Sequence, residues 1–278
     1  MSGYVSYSLF HRDPRGNRLE RWETADTQTG HVLRLCGPVE VAEQVQVVAP
    51  EYRDLASLTS TTDGWTHELA SSEPAVKREV QQLLRLLSEV VSLPSLPMIK
   101  FAIALDWYKI PVDGTDPRSW QNTEIGELVH NGKYRYRNLE EPQGQVGRTL
   151  AGRLCNAIER HSALRDAETI LTIPGHDSRR ISFGPRLAAT VAKYRKLPLV
   201  RVRAREPFRP EAKSLEGAMR AAVLDDQFIA PYSIQNYSAL IVDDVFRSGH
   251  SMAAVAKAAN EAGAREIFGL CAARTLRR

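Results

Sequence analysis

The stretch of sequence that decides the fold is SALIVDDVFRSGHSM, residues 238–252. Its first residues are small or apolar, which predicts a buried strand, and the run ends in two adjacent aspartates, Asp243 and Asp244. Two like charges at the end of a buried strand repel each other and are costly to remove from water. We therefore expect a bound ligand to be the reason for their presence.

The loop and helix that follow the aspartates carry the groups that bind a phosphorylated sugar. A helix beginning near Ser251 offers free backbone N–H groups and a partial positive charge, and both favour a phosphate. Gly249 allows the backbone to approach a ligand closely, and the hydroxyls of Ser248 and Ser251 add donors. Carboxylates are strong acceptors, so Asp243 and Asp244 are expected to accept hydrogen bonds from sugar hydroxyls.

Strands and helices alternate regularly around this stretch. Such alternation predicts an α/β fold with a parallel sheet and helices on both faces, and ligands bind where loops leave the carboxyl ends of the strands. The loops at 174–184 and 243–251 occupy that position. The predicted strands are residues 168–174, 197–204, 227–230, 237–244 and 264–274, and the predicted helices are residues 185–196, 213–224 and 252–263.

The stretch LIVDDVFRSGHS, residues 240–251, resembles the phosphoribosyl pyrophosphate (PRPP) motif of type I phosphoribosyltransferases. That motif has a hydrophobic run, two acidic residues, two or three spacers, and then Thr-Gly-x-Thr or a serine variant. The resemblance implies a Rossmann-like phosphoribosyltransferase domain in which Asp243 and Asp244 hold the ribose 2′- and 3′-hydroxyls and stabilise the cationic sugar during catalysis. It also implies a 5′-phosphate loop formed by Arg247, Ser248, Gly249, His250 and Ser251, with Arg247 in place of the commoner threonine.

Residues 125–278 are most similar to the ComF family of phosphoribosyltransferase-domain proteins. The similarity lies in ILTIPGHDSRRISFGPRLAATVA (170–192) and in NGKYRYRN (131–138) followed by a helix. It implies that the loop after Pro174 faces the pyrophosphate and that a basic segment closes over the ligand, although a solvated basic loop and a solvated helix face remain alternatives. The residues concerned are Gly175, His176, Arg179 and Arg180 on the pyrophosphate side and Lys213 and Arg220 as closing residues.

Two functions follow from the resemblance. The first is transfer of the phosphoribosyl group from PRPP, with Mg²⁺ as cofactor held through the ligand rather than by protein side chains. The second is a non-catalytic module that senses PRPP or a nucleotide, or assists a DNA-processing partner, as ComF proteins are associated with DNA uptake and recombination. The formal net charge of +4 suits any of these anionic ligands, DNA included. The acceptor and a homo-oligomeric state are left open.

Three other interpretations of the aspartates are weaker. Receiver domains of response regulators also contain a Val-Asp-Asp run, but on their first strand, whereas only about thirty residues follow it here. P-loop NTPases carry GxxxxGK[ST], which this sequence lacks. A plain strand–turn–helix with solvated aspartates needs no ligand at all.

The first 95 residues form a smaller α+β region of unassigned role, with the phosphoribosyltransferase-like domain at 96–278. The family's N-terminal zinc ribbon has paired cysteines, whereas Cys36, Cys155 and Cys271 are isolated. No apolar run is long enough for a membrane span and no signal pattern begins the chain, so we expect a cytoplasmic protein. Further predictions are strands at 4–10, 31–37, 43–50 and 98–105, a helix beginning with Ser72 as its cap and Pro74 in its first turn and ending before Pro94, an irregular segment at 106–138 acting as a lid or an interface, and a helix at 146–164.

Overall fold

A computed structural model describes residues 7–8, 16–55, 64–112, 115–116, 118–175, 182–205 and 227–275. The chain divides into two units, one formed by residues 1–94 and 158–165 and the other by residues 95–157 and 166–278. The helix predicted at 213–224 lies outside the described residues. None of the helices in the described ranges is both long and apolar enough to cross a membrane.

An antiparallel sheet forms the centre of the first unit. Its third strand alternates buried and half-buried side chains, as expected of a sheet with one face on a core, and Leu33 and Leu35 are completely buried. The strands lie in the order β1–β2–β3–β5–β4. They are β1 (Tyr7–Ser8), β2 (Arg21–Thr27), β3 (Gly30–Cys36), β4 (Arg53–Asp54) and β5 (His67–Ser71), and the unit also contains α1 (Val39–Val48), α2 (Arg78–Glu89), β6 (Val91–Ser92) and α5 (Ser162–Arg165).

The strand predicted at residues 43–50 is wrong, because this segment belongs to helix α1. The alternation of valine and glutamine from Gln44 to Val48 imitates a strand, but the buried positions Val41 and Val45 are one helical turn apart. The Gln44 side chain donates to the backbone oxygen of Glu40, again one turn away. A buried polar residue at a helical spacing was therefore mistaken for the exposed face of a strand.

Helix α2 starts later than predicted. It begins at Arg78, with Lys77 in the capping position, rather than at Ser72 and Pro74. The hydroxyl of Ser71 accepts a hydrogen bond from the backbone N–H of Glu73 at 3.2 Å, and this local turn competes with helix formation. The predicted apolar face is confirmed within the helix by Val80, Leu83 and Leu87, which are buried.

A parallel sheet forms the centre of the second unit and confirms its predicted α/β character. Strands β7, β13, β12, β8 and β9 lie side by side in that order, and each neighbouring pair is parallel. All four residues of β8 are buried, as are the first five of β12, because parallel sheets are covered on both faces. The strands are β7 (Ala102–Trp107), β8 (Thr169–Thr172), β9 (Leu199–Arg201), β10 (Arg203–Ala204), β11 (Phe228–Ile229), β12 (Ser238–Phe246) and β13 (Glu266–Arg274), and the helices are α3 (Glu124–His130), a π-helix (Asn131–Arg135), α4 (Glu140–Arg160), α6 (Phe183–Arg195), a 3₁₀ turn (Tyr232–Ile234) and α7 (His250–Glu261).

The segment 106–138, predicted to be irregular, contains helix α3 and the π-helix after it. The side chain of Thr123 caps α3 by accepting a hydrogen bond from the backbone N–H of Gly126 at 2.9 Å, and threonine is a typical residue at a helix start. Helix α4 likewise begins six residues before its predicted start at 146. The predicted strand 197–204 is divided into β9 and β10, since β10 pairs with β11 in a separate antiparallel ribbon.

Candidate functional site

The two aspartates lie at the carboxyl end of β12, in the middle of the parallel sheet. Asp243 is in register with Cys271 of the neighbouring strand β13. The side chain of Asp244 is only 7% exposed, and that of Asp243 is half-buried. The Oδ1 atom of Asp243 accepts a hydrogen bond from the backbone N–H of Asp244 at 2.9 Å. The Asp243 carboxylate is therefore held in place at the edge where parallel sheets bind ligands.

Lys133 supplies a positive charge to this pair. It lies on the π-helix, and its Nζ donates to Oδ1 of Asp244 at 2.9 Å. Burial lowers the pKa of Lys133, but the carboxylates of Asp244 and Asp243 outweigh burial and raise it overall. The ammonium is consequently maintained beside the carboxylates of Asp244 and Asp243.

Asp243 and Asp244 have different electrostatic environments. Burial, together with the neighbouring charge of Asp244, raises the pKa of Asp243 to about 7, and the opposing effects of Lys133 and of the Asp244 N–H are smaller. Burial and the same two carboxylates also raise the pKa of Cys271, which is therefore a neutral thiol beneath them. Asp244 is paired with a cation, whereas Asp243 carries the cost of being a second anion.

Two glycines bring other elements directly onto this cluster. A β-carbon on Gly184, in the first turn of α6, would lie 2.6 Å from Oδ1 of Asp243 and 3.6 Å from Cγ of Asp244. A β-carbon on Gly132 would overlap the ring of Phe183, so the π-helix packs against the start of α6. A larger residue would displace the Asp243 carboxylate at position 184 and the Phe183 ring at position 132.

A hydrogen-bonded bridge reinforces this packing. The Nε2 atom of Gln143 donates to the backbone oxygen of Gly132 at 2.7 Å, and Nη1 of Arg186 donates to Oε1 of Gln143 at 2.7 Å. Gln143 is buried on α4 and Arg186 lies on α6, so the bridge joins three elements. The turn that carries Lys133 is therefore fixed in position from both sides.

The loop after the aspartates is shorter than predicted. Strand β12 continues to Phe246 and α7 begins at His250, so only residues 247–249 connect them. Gly249 has φ +76° and is buried, and a β-carbon there would lie 2.6 Å from Leu96 and 3.0 Å from the Phe246 ring. Such a tight turn places the first backbone N–H groups of α7 immediately beyond the carboxyl end of the strand.

The side chains of the loop are accessible. Arg247 is exposed, and Ser248, His250 and Ser251 are half-buried. Nδ1 of His250 lies 2.8 Å from the hydroxyl of Ser248, which ties the start of the helix to the loop. A helix start with hydroxyl and cationic side chains around it can bind an anion, and the adjacent carboxylates can accept hydrogen bonds from hydroxyl groups.

The predicted site residues divide into two groups in the structure. Asp243 and Asp244 lie near the end of β12, and residues 247–251 form the connection to α7 and its first two residues. Gly175 lies three residues beyond the end of β8, which is the strand next to β12, and is half-buried. The other residues predicted on the pyrophosphate side and as closing residues lie outside the described residues, namely His176, Arg179, Arg180, Lys213 and Arg220.

Lys133 and Gly184 belong to this cluster but were not among the predicted site residues. Lys133 stands in the segment NGKYRYRN, which was compared with the ComF family, but 111 residues separate it from Asp244 and no spacing rule connects them. Gly184 precedes Pro185 at a helix start, where glycine has many explanations. Only the close approach of the Gly184 backbone to Asp243 in the structure identifies this glycine as part of the site.

The described residues contain no group of three or more His, Cys, Asp or Glu side chains that could hold a metal ion. Moreover, the ammonium of Lys133 already contacts Oδ1 of Asp244, and a divalent cation at that oxygen would meet a like charge.

Comparisons with known proteins leave the family of this chain open. No protein-family model matches it. No curated protein matches its sequence. Seven chains of solved structures match, among them a purine phosphoribosyltransferase from Pyrococcus horikoshii Ot3, with 13% identity over 46% of this chain and 80% of that one, at a TM-score of 0.27. Because so low a similarity establishes neither fold nor activity, the function has to be argued from the geometry of this chain.

Proposed function

We propose that the protein binds PRPP together with Mg²⁺ and transfers its phosphoribosyl group to an acceptor, with release of pyrophosphate. The observation that supports this proposal most strongly is the arrangement at the end of β12. Two adjacent carboxylates are followed by a buried glycine at positive φ that opens helix α7. Acceptors for sugar hydroxyls and donors for a phosphate are thereby placed a few residues apart on one edge of the sheet.

In this proposal the carboxylates orient the sugar. Asp243 and Asp244 accept hydrogen bonds from the ribose 2′- and 3′-hydroxyls, which fixes the ring relative to the strand. When the bond from C1 to pyrophosphate breaks, the ring becomes positively charged, and nearby carboxylates stabilise that charge. The like-charge pair that is costly in the free protein then has a cation to stabilise.

The 5′-phosphate lies at the start of α7. Backbone N–H groups and the positive end of the helix bind its oxygens, with further donors from Ser248 and Ser251. Arg247, which is exposed, adds a charge that can reach the same phosphate. Gly249 allows the backbone to turn tightly enough for these groups to converge.

The leaving group lies on the side of the loop that follows β8. Gly175, His176, Arg179 and Arg180 are proposed to bind the pyrophosphate, and Lys213 and Arg220 to close over it. Mg²⁺ bound to the pyrophosphate would supply charge neutralisation to that leaving group. An acceptor attacks C1 from the opposite face, so that one bond forms to C1 while the bond to pyrophosphate oxygen breaks.

The first experiment is calorimetric titration of PRPP, with and without Mg²⁺, into the wild-type chain and into an Asp243→Asn/Asp244→Asn double variant. We expect micromolar binding that the double variant loses. The matched control is Glu261→Gln/Glu266→Gln, which removes the same charge at the other end of α7 and β13 and should bind normally. Absence of PRPP binding by correctly folded wild type would overturn the proposal.

Turnover is measured separately from binding. Release of pyrophosphate from PRPP is followed in the presence of a panel of bases and amines as acceptors. Release that the double variant abolishes would support transfer. Tight binding without release from any acceptor would instead support the non-catalytic module, in which PRPP or a nucleotide is sensed rather than consumed.

A further inference from the structure

We infer that Lys133 binds the pyrophosphate group of PRPP, in addition to pairing with Asp244 in the free protein. The inference rests on the proposed function and assigns a role to a residue that lies outside the strand–loop–helix motif. Three features carry it: the position of Lys133 beside the start of α6, the partial exposure of its side chain, and the charge balance of the site.

The position of Lys133 places it beside the proposed leaving group. The ring of Phe183 packs directly on the backbone of Gly132, the residue before Lys133. The next residue, Gly184, contacts Asp243. Helix α6 follows the loop proposed to face the pyrophosphate, and its first turn carries backbone N–H groups without partners inside the helix. Lys133 and the start of α6 are thus neighbours beside the carboxylate pair.

The ammonium of Lys133 is available to a ligand. A lysine has three N–H donors, and the contact with Oδ1 of Asp244 needs one of them. The side chain of Lys133 is 30% exposed, whereas that of Asp244 is 7% exposed. The lysine side chain is therefore more accessible than the carboxylate that it contacts, and its remaining N–H donors can serve a ligand.

Charge balance gives the reason for a lysine at this position. PRPP is a polyanion, and two carboxylates beside C1 would repel its pyrophosphate if nothing offset them. The ammonium stands at this junction, attracted by Asp244 and Asp243 on one side. A compact, mobile point charge can shift towards phosphate oxygens without breaking its contact with the carboxylate.

If Lys133 had only a structural role, its replacement would affect ligand binding differently. If Lys133 only orients Asp244, its loss should weaken every ligand that uses Asp244, including ribose 5-phosphate, which has no pyrophosphate. If Lys133 binds pyrophosphate, the loss should be selective. The ratio of the affinities for PRPP and for ribose 5-phosphate therefore separates the two roles.

The test titrates PRPP, ribose 5-phosphate and inorganic pyrophosphate into wild type and Lys133→Met. We expect the affinities for PRPP and pyrophosphate to fall about 10- to 100-fold, as for loss of a charge-assisted contact, and that for ribose 5-phosphate to change less than about 3-fold. Lys133→Arg should restore most of the PRPP affinity. Equal losses for PRPP and ribose 5-phosphate, or no loss at all, would overturn the inference.

Two further variants secure the result. Lys133→Gln keeps an N–H group towards Asp244 but removes the charge, and it should show the same selective loss if Lys133→Met does not fold. Lys193→Met removes an exposed lysine from the last turn of α6 and should leave all three affinities unchanged. Wild type that binds no PRPP would refute the proposed function itself, whereas PRPP binding that is indifferent to residue 133 would refute only this assignment.

Discussion

A β-carbon at Gly184 would lie 2.6 Å from the Oδ1 atom of Asp243, so helix α6 begins in direct contact with the carboxylate pair. That oxygen is already fixed, because it accepts the backbone N–H of Asp244 at 2.9 Å. The absence of a side chain at residue 184 thus determines how closely the helix approaches the two acids.

Substitution of Gly184 by alanine should impair ligand binding more than folding. The added methyl group would displace the Asp243 carboxylate, and misplacement of a functional group by about 1 Å commonly costs up to 100-fold in function. We expect a 10- to 100-fold weaker affinity for PRPP, measured by titration, with a Tm within a few degrees of wild type. Gly152→Ala is the control, since nothing lies within 4 Å of its β-carbon, and it should stabilise α4 by about 0.5–1 kcal/mol without changing affinity. Normal affinity in Gly184→Ala would contradict the prediction.

Replacing each aspartate by asparagine should change the stability of the protein in opposite directions. Asp243→Asn removes a desolvated second anion and should raise the Tm by about 2–4 °C for each kcal/mol gained. Asp244→Asn removes the carboxylate that pairs with Lys133 and should cost about 1–3 kcal/mol. Both variants should lose PRPP affinity. Thermal unfolding followed by circular dichroism measures the difference, and a stabilised Asp244→Asn protein would exclude this account of the charge balance.

The increase in Tm caused by Asp243→Asn should depend on pH. The folded-state pKa of Asp243 is raised from 3.8 to about 7, so in the wild type the folded state binds the extra proton between these values. Wild-type stability therefore falls as the pH rises through this window. The Tm advantage of Asp243→Asn should be small near about pH 4 and complete above about pH 7. If the Tm difference between Asp243→Asn and wild type were constant over this range, the charge of Asp243 would not be its cause.

Gly249→Ala should damage both stability and binding. Its φ of +76° is unfavourable for alanine, and the added β-carbon would clash with Leu96. We expect a loss of about 1–2 kcal/mol or more in unfolding free energy, and weaker PRPP binding because the start of α7 moves. Gly263→Ala, at φ +84° beyond the other end of the same helix, introduces similar backbone strain far from the loop. It should lose stability but keep its affinity, and a parallel loss of affinity would argue against a phosphate site at Gly249.

The parallel sheet and the acidic strand end could be predicted from the sequence because each is a local pattern. The buried run of β12 and the loop glycine stand within a dozen residues, and alternation of strands with helices requires only counting. The prediction failed where contacts between distant residues decide the structure. Helix α1 was predicted as a strand because Gln44 is polar and was expected to be exposed. It is buried, and its amide donates to the hydroxyl of Ser92.

In the candidate site, too, local patterns could be predicted and contacts between distant residues could not. Asp243, Asp244 and the loop are contiguous, so they could be named from the sequence alone. Lys133 and Gly184 join them only through the fold, since the π-helix and α6 converge at Phe183. A π-helical turn often marks a functional position, but the sequence NGKYR gives no rule that predicts one.

His161 should make the protein sensitive to acid for a reason unrelated to the candidate site. It is completely buried, and burial lowers its pKa from 6.5 to about 3. Because the unfolded chain binds a proton near pH 6.5 and the folded chain does not, stability should fall as the pH drops from 6.5 towards 3, by up to about 1.4 kcal/mol per pH unit. His161→Leu should reduce this slope, as measured by urea unfolding between about pH 7 and about pH 5. Leu164→Val, a buried substitution in the same segment, should lower stability equally at both pH values. Histidine NMR gives a direct check, and a His161 resonance that titrates near pH 6 in the folded protein would refute the prediction.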